Sequence, residues 1–335
     1  MLNFFKVSLL ALMVITTTIW AVLAIYFGDS HSGMVQTSIA TVVGLLGLMT
    51  LVGLGFARWR KRVLAAYAIL FIAILGWWLL AIKPSNERQW QPDLAKLPFA
   101  TVDGDSVTVH NIRNIEYRSE FDFTPTYYDK TFDLNKLDSV DLYAVYWMGP
   151  AIAHTILSFN FGDKDHLAVS IEARKELNEG YSTIKGFFRQ YELTYIVADE
   201  RDVIRLRTNY RNDPPEQVYL YRQKPSKENA RRLFLEYIRN INKLYDKPEF
   251  YNTLLDNCTT DIWFNSLVNQ GHLPFSWKIL LSGYVPEYLY ESGRLDSQLP
   301  FDQLQRQALI NPSAQAADQS PNFSQRIRAN LEQPQ

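Results

Sequence analysis

Three long apolar stretches dominate the first 85 residues. Val7–Tyr26 reads VSLLALMVITTTIWAVLAIY, Val35–Phe56 reads VQTSIATVVGLLGLMTLVGLGF, and Val63–Ile82 reads VLAAYAILFIAILGWWLLAI. Each supplies about the 20 uncharged residues that a helix needs to cross a hydrocarbon core. None shows the polar face, recurring every 3.6 residues, of a helix packed on a soluble core. The first stretch is long for a cleaved leader and two more spans follow it directly, so all three are expected as permanent spans.

Beyond residue 85 the pattern shortens and changes period. DSVTVHNIRNIEYRS sets Val107, Val109, Ile112 and Ile115 in partial alternation, and YYDKTFDL and DSVDLYAVYWM continue a β region. AHTILSFNF and HLAVSIEAR, joined by GDKD, predict a hairpin. YELTYIVADERDVIRLRT and EQVYLYR predict further strands. The period then becomes helical: SKENARRLFLEYIRNINKLY, 226–245, places Ala230, Leu233, Phe234, Tyr237, Ile238, Ile241 and Leu244 on one stripe, with Ser226 as N-cap. CTTDIWFNSLVNQG predicts a second helix ending at Gly271, with Ile262, Trp263, Leu267 and Val268 inward. The expected organisation is a membrane anchor over 1–85, a proline-punctuated linker over 86–104, an α+β domain over 105–310, and a disordered Gln/Asn/Ser/Pro-rich tail over 311–335.

Charge orients this plan. Of the 34 basic and 35 acidic residues, six and one precede residue 86, so the remainder holds 28 and 34 and carries a net charge of −6. An acidic domain lacks the basic footprint of nucleic-acid binding. RWRKR at 58–62 packs four positive charges between the second and third spans. Such a loop stays cytoplasmic, which puts the GDSHSG turn at 28–33 outside and delivers the large domain to the extracytoplasmic side. Trp77 and Trp78 suit an interfacial aromatic belt near the outer end of the third span.

That compartment gives Cys258, the only cysteine in the chain, its interest. Extracytoplasmic thiols without a partner are sealed in a core or kept for their chemistry. Asn257 and Asp256 are good N-cap residues, which places Cys258 in the first turn of its helix. Backbone N–H groups and the positive dipole end stabilise a thiolate there and could later hold an oxyanion. The flanking polar residues DN and TT argue against a purely structural cysteine.

A nucleophilic thiol needs an imidazole base, oriented by a third polar group. His154 stands in an otherwise apolar strand, AIAHTILSF, where a histidine requires a reason. On the following strand His166, Ser170 and Glu172 share one face by the period of two, and any of them could orient the base. His110 has no clear partner, and His272 leaves a helix in a loop. No helical zinc spacing and no phosphate-cradling glycine loop is present, so no metal or cofactor is expected.

HTILSFNF…AVSIEAR…YELTYIVADERDVIRLRT…VYLYR…NCTT resembles, over roughly 105–300, the bacterial family called the Lnb N-terminal periplasmic domain. The resemblance implies a permuted papain-like, NlpC/P60-type fold in which the histidine strand precedes the cysteine helix. It implies Cys258 as nucleophile, His154 as base and a polar residue on the next strand, where His166 stands. Relatives of this type are implicated in acylating the amino terminus of bacterial lipoproteins. The expected function is a membrane-anchored cysteine acyltransferase or hydrolase whose partners are the bilayer and a lipid or lipoprotein acyl substrate. The rival readings are a peptidoglycan amide hydrolase and a non-catalytic envelope sensor or scaffold.

Overall fold

The computed structural model describes residues 2–28, 33–162, 165–295, 298–329 and 331. Most of the GDSHSG and GDKD turns therefore lies outside the described residues. The chain divides into two units.

The first unit holds α1 (Leu2–Phe27), α2 (Gly33–Leu54) and α3 (Arg60–Leu80), each long and apolar enough to span a membrane. With no hydrophobic drive between helices in lipid, polar and small residues bring them together. The Tyr67 hydroxyl bonds with Thr17 and Thr18 at 2.7 and 2.8 Å. Gly47 faces Thr18 so closely that a Cβ would lie 2.5 Å from its side chain. Residues 181–192 and 250–253 belong to the same unit. Phe188 meets Phe27 at one end of the bundle, and Arg189 stacks on Trp78 at 4.1 Å.

The second unit is an α+β domain. Its main sheet contains β1 (Phe99–Asp103), β2 (Ser106–Arg113), β5 (Tyr127–Asp133), β6 (Leu137–Tyr146), β7 (His154–Phe161), β8 (Asp165–Arg174), β9 (Glu192–Asp199) and β10 (Gln217–Arg222). Their order is β1-β2-β9-β8-β7-β6-β10, with β5 also on β2. Two short strands, β3 (Glu116–Tyr117) and β4 (Phe123–Thr124), pair separately. The broken alternation of β2 has a local cause. Asn111 takes a positive φ of 58° where the register shifts, so Ile112 returns to the buried side despite its odd spacing from Val109.

Helix α5 (Lys227–Asp246) starts at the Ser226 cap and buries the whole expected stripe. Phe234 and Tyr237 meet Phe159 of β7 edge-on at 5.1 and 5.3 Å. On the opposite side of β7, Ile156 joins a core with Val203, Ile204, Ala314, Phe323 and Ile327.

Four expectations are corrected here. ERDVIRLRT is not a strand: it forms α4 (Glu200–Arg205) and a π-helical turn, Leu206–Tyr210. Its alternating polar residues are buried on both sides. Arg113 clamps Asp202, and Arg328 clamps Glu200 and Asp141 at 2.6–3.0 Å. The 86–104 segment is no free linker. Trp90 and Leu94 are buried, Arg174 stacks on Trp90 at 4.0 Å, and β1 begins at Phe99.

The expected disordered tail is ordered over 311–329, as α10 (Asn311–Ala316) and α11 (Phe323–Ile327). Sparse apolar residues suffice because Ala314, Phe323 and Ile327 are all core and Arg328 is ion-paired beneath them. Last, helix α6 (Cys258–Ser266) turns its polar Thr259, Thr260, Asp261 and Asn265 inward and leaves Leu267 and Val268 exposed. Three short helices follow it: α7 (Trp277–Leu280), α8 (Val285–Glu291) and α9 (Phe301–Ala308).

Candidate active site

Cys258 is the first residue of α6, and the sequence immediately before it builds the helix start. The Asn257 side chain accepts the N–H groups of Thr259 and Thr260 at 2.9 and 3.1 Å, while Thr260 Oγ1 accepts the Asn257 N–H at 3.1 Å. This reciprocal capping box fixes the first turn. The Asp261 N–H goes to the Asn257 carbonyl. The Cys258 N–H is left as the first-turn donor without a protein partner among the described residues.

The thiol meets the beginning of β7. The His154 ring and the Thr155 backbone N–H are the groups there that favour its thiolate. Thr259 Oγ1 stands 3.6 Å from the sulfur. Burial pushes the Cys258 thiol up, but the His154 charge and these polar neighbours outweigh it and bring it down to about 6. Burial and the Arg207 charge push the His154 imidazole down; the thiolate charge and hydrogen bonds to Cys258 and Glu172 leave it above its ordinary value. The two shifts are coupled, each favouring the charged form of the other partner.

β8 orients the ring. Its register puts Ser170 opposite Ile156, so Glu172 falls opposite His154 two residues further on. His154 Nε2 lies 2.7 Å from Ser170 Oγ and 3.5 Å from Glu172 Oε1. The Ser170 hydroxyl donates to the same carboxylate oxygen at 2.8 Å. Arg207, buried in the π-helical turn, holds Glu172 from behind at 2.9 Å. Burial pushes the Glu172 carboxyl up, but Arg207 and His154 more than offset this and keep it well below the usual carboxylate range. Glu172 is therefore a fixed anion behind the imidazole.

Of the expected residues, Cys258, His154, Ser170, Glu172 and Asn257 come together. His166 does not. It pairs in register with Asn160, six residues along β7 from His154, which is about 20 Å at strand rise. Its Nδ1 donates to Asn160 Oδ1 at 2.6 Å, within the buried network around Asp141, Glu200 and Arg328. The shared strand face was legible, but not which end of it met the cysteine. Arg207 and Thr155 escaped sequence reasoning: one sat in a segment read as strand, and the other acts through its backbone.

A cavity of about 140 Å³ has Thr155 and Thr259, the chain neighbours of His154 and Cys258, in its wall, while His154 and Cys258 themselves are not among its lining residues. The hydroxyls of Thr155 and Thr259 are 3.2 Å apart. Leu142, Leu157, Leu233, Ile262, Trp263 and Ile279 make much of the rest.

The approach to His154 is braced. The Ala153 N–H donates to Ser282 Oγ at 2.9 Å, and the Gly283 N–H donates to the Ala151 carbonyl at 3.0 Å. A Cβ on Gly283 would lie 2.0 Å from the Pro150 carbonyl oxygen, so only glycine allows this approach.

No curated protein and no solved structure matches the chain. The family model described as the Lnb N-terminal periplasmic domain matches residues 123–283, a stretch that contains Cys258, His154, Ser170 and Glu172, and this part of the chain is a domain of that family.

Proposed function

We propose that the protein is a membrane-anchored, periplasmic cysteine acyltransferase or hydrolase working through a thioester on Cys258. The observation that carries the reading is the line Cys258–His154–Ser170/Glu172, with a fixed anion at its far end. A histidine strand that precedes the cysteine helix is also the order of a permuted papain-like enzyme.

In this reading Nε2 of His154 is engaged by Ser170 and Glu172, which leaves Nδ1 to take the thiol proton. The thiolate attacks the carbonyl carbon of an ester donor. The resulting oxyanion meets the Cys258 N–H at the helix start. Collapse expels the alkoxide, which takes the proton from the His154 imidazolium, and leaves an acyl thioester. An amine or water then attacks the thioester, His154 accepts its proton, and the sulfur departs as thiolate.

The apolar cavity beside Thr155 and Thr259 favours an acyl chain over a peptide stem, which would want polar walls. The three spans keep the domain near lipid, where such donors reside.

Mass analysis of the peptide bearing Cys258, from protein purified out of its native membrane, tests this. A fatty-acyl mass on Cys258 that neutral hydroxylamine removes is expected. An unmodified thiol that also resists acylation by added phospholipid or acyl thioester would overturn the reading.

A further inference from the structure

Helices α6 and α7 lend apolar side chains both to the cavity and to the surface. Inward, Ile262, Trp263 and Ile279 line the cavity. Outward, Phe264, Leu267, Phe275, Trp277, Leu280 and Leu281 stand open, from 39% exposed at Leu267 to 55% at Trp277. Phe264 and Phe275 both lean on the Trp263 ring, at 5.0 and 5.3 Å, which joins the outer residues of α6 to the segment entering α7. An exposed patch of this kind marks a binding surface, because a water-facing helix carries a polar side.

Charge narrows the occupant. Residues 262–281 contain no carboxylate and one formal charge, Lys278. Its ammonium is held by Glu287 and Glu291 at 3.0 and 2.7 Å. The strip's one charge is thus neutralised within the fold, and no anion within residues 262–281 would repel acidic headgroups. Trp and Phe beside Leu is also the composition of interfacial anchors.

The tether supplies the last argument. α3 ends at Leu80 and the α+β unit begins at Asn86. The residues between them reach about 20 Å at most when fully extended. So short a tether keeps the unit that carries the strip at high effective concentration beside lipid.

We infer that the outer face of α6 and α7 docks into the headgroup–acyl boundary of the bilayer that anchors the chain. The docking stands apart from the thioester reading. If both hold, it brings lipid acyl donors to the two helices that wall the cavity.

The test uses the full chain reconstituted in phosphatidylethanolamine/phosphatidylglycerol vesicles, with Cys258→Ser removing the native thiol. Single cysteines replace Phe264, Trp277, Leu281 or, as control, the exposed loop residue Ser119. Each carries an environment-sensitive fluorophore, read against nitroxide lipids and aqueous iodide. Labels at 264, 277 and 281 should be blue-shifted, several-fold more quenched by nitroxide lipid than the label at 119, and shielded from iodide. Iodide quenching equal to that at 119 would overturn the docking. So would protection from both quenchers, which would assign the strip to a protein partner. Because Cys258 is absent from these variants, neither result depends on catalysis.

Discussion

The His154 Nε2 and the Ser170 hydroxyl lie 2.7 Å apart, and that hydroxyl donates to Glu172, which is itself 3.5 Å from the same nitrogen. The imidazole thus has two routes to one carboxylate, a bridged and a direct one. Removing the bridge is expected to cost less than removing the charge. Ser170→Ala should slow alkylation of Cys258 at pH 6.5 only a few-fold, and Glu172→Gln by roughly ten- to a hundred-fold, as for second partners of a catalytic histidine. Rates of iodoacetamide modification, followed by peptide mass, measure both. Equal losses would show that Glu172 acts only through Ser170.

Topology follows from RWRKR and from the packing of the first unit. Phe188 meets the α1 end at Phe27, and Arg189 meets the α3 end at Trp78, so residues 181–192 lie at the bundle end opposite 58–62. An alkaline phosphatase fused after residue 335 should be active in the periplasm, and one fused within 58–62 should be silent. The reverse pattern would remove the compartment argument for the thiol.

Asp261 sits one turn after Cys258 with a buried Oδ2 that has no hydrogen-bond partner among the described residues. Burial, with the Asp256 and Cys258 charges behind it, pushes its carboxyl up to about 8. Between the unfolded value near 4 and this folded value, the unfolded chain releases a proton that the folded chain keeps, so stability falls as pH rises through that window. Asp261→Asn should abolish this slope and stabilise the domain at pH 8 by about 2–4 kcal/mol. At pH 4 it should change little. Thermal midpoints in detergent at the two pH values give the comparison; an equal shift at both would refute the protonated carboxyl.

The cavity makes a separable prediction. Leu157→Trp should fill it and leave His154 and Cys258 in place. Labelling of Cys258 by a long-chain acyl electrophile should drop roughly tenfold or more, with iodoacetamide labelling nearly unchanged. A parallel drop for both reagents would mean that the cavity does not serve the thiol.

Much of this architecture was legible because hydrophobic period and burial agree. The α5 stripe from Ala230 to Leu244 is buried residue for residue, and Asn257 caps α6 as its side chain predicts. The face shared by Ser170 and Glu172 followed from strand alternation alone. The misread 200–210 segment, the tail and His166 share a cause, which is buried charge. Glu200, Asp202, Arg205 and Arg207 stand in a segment expected as strand, yet all are buried in ion pairs with distant residues. Arg328 lies 187 residues from Asp141, so no local pattern could reveal that the polar C-terminal segment closes over the sheet. His166 was drawn into the same network for the same reason. Polar residues committed to long-range partners look identical, in sequence, to solvated ones.

Gly283 offers a check on how the base is positioned. Gly283→Ala must push back the Pro150–Ala151 backbone, three residues before His154. The expected result is roughly tenfold slower alkylation of Cys258 with the far-ultraviolet spectrum retained. Unaltered reactivity would mean that the brace does not set the ring.

The central claim is that His154 makes Cys258 a thiolate near neutral pH, and the pH dependence of its alkylation tests this most directly. Cys258 is the only cysteine, so iodoacetamide reports one site without background. In the native protein the rate should rise with pH to half its maximum near pH 6, following the lowered thiol. In His154→Ala the midpoint should move up toward the free-thiol value of about 8.5. A native midpoint already near that value, or one that His154→Ala leaves in place, would contradict the account.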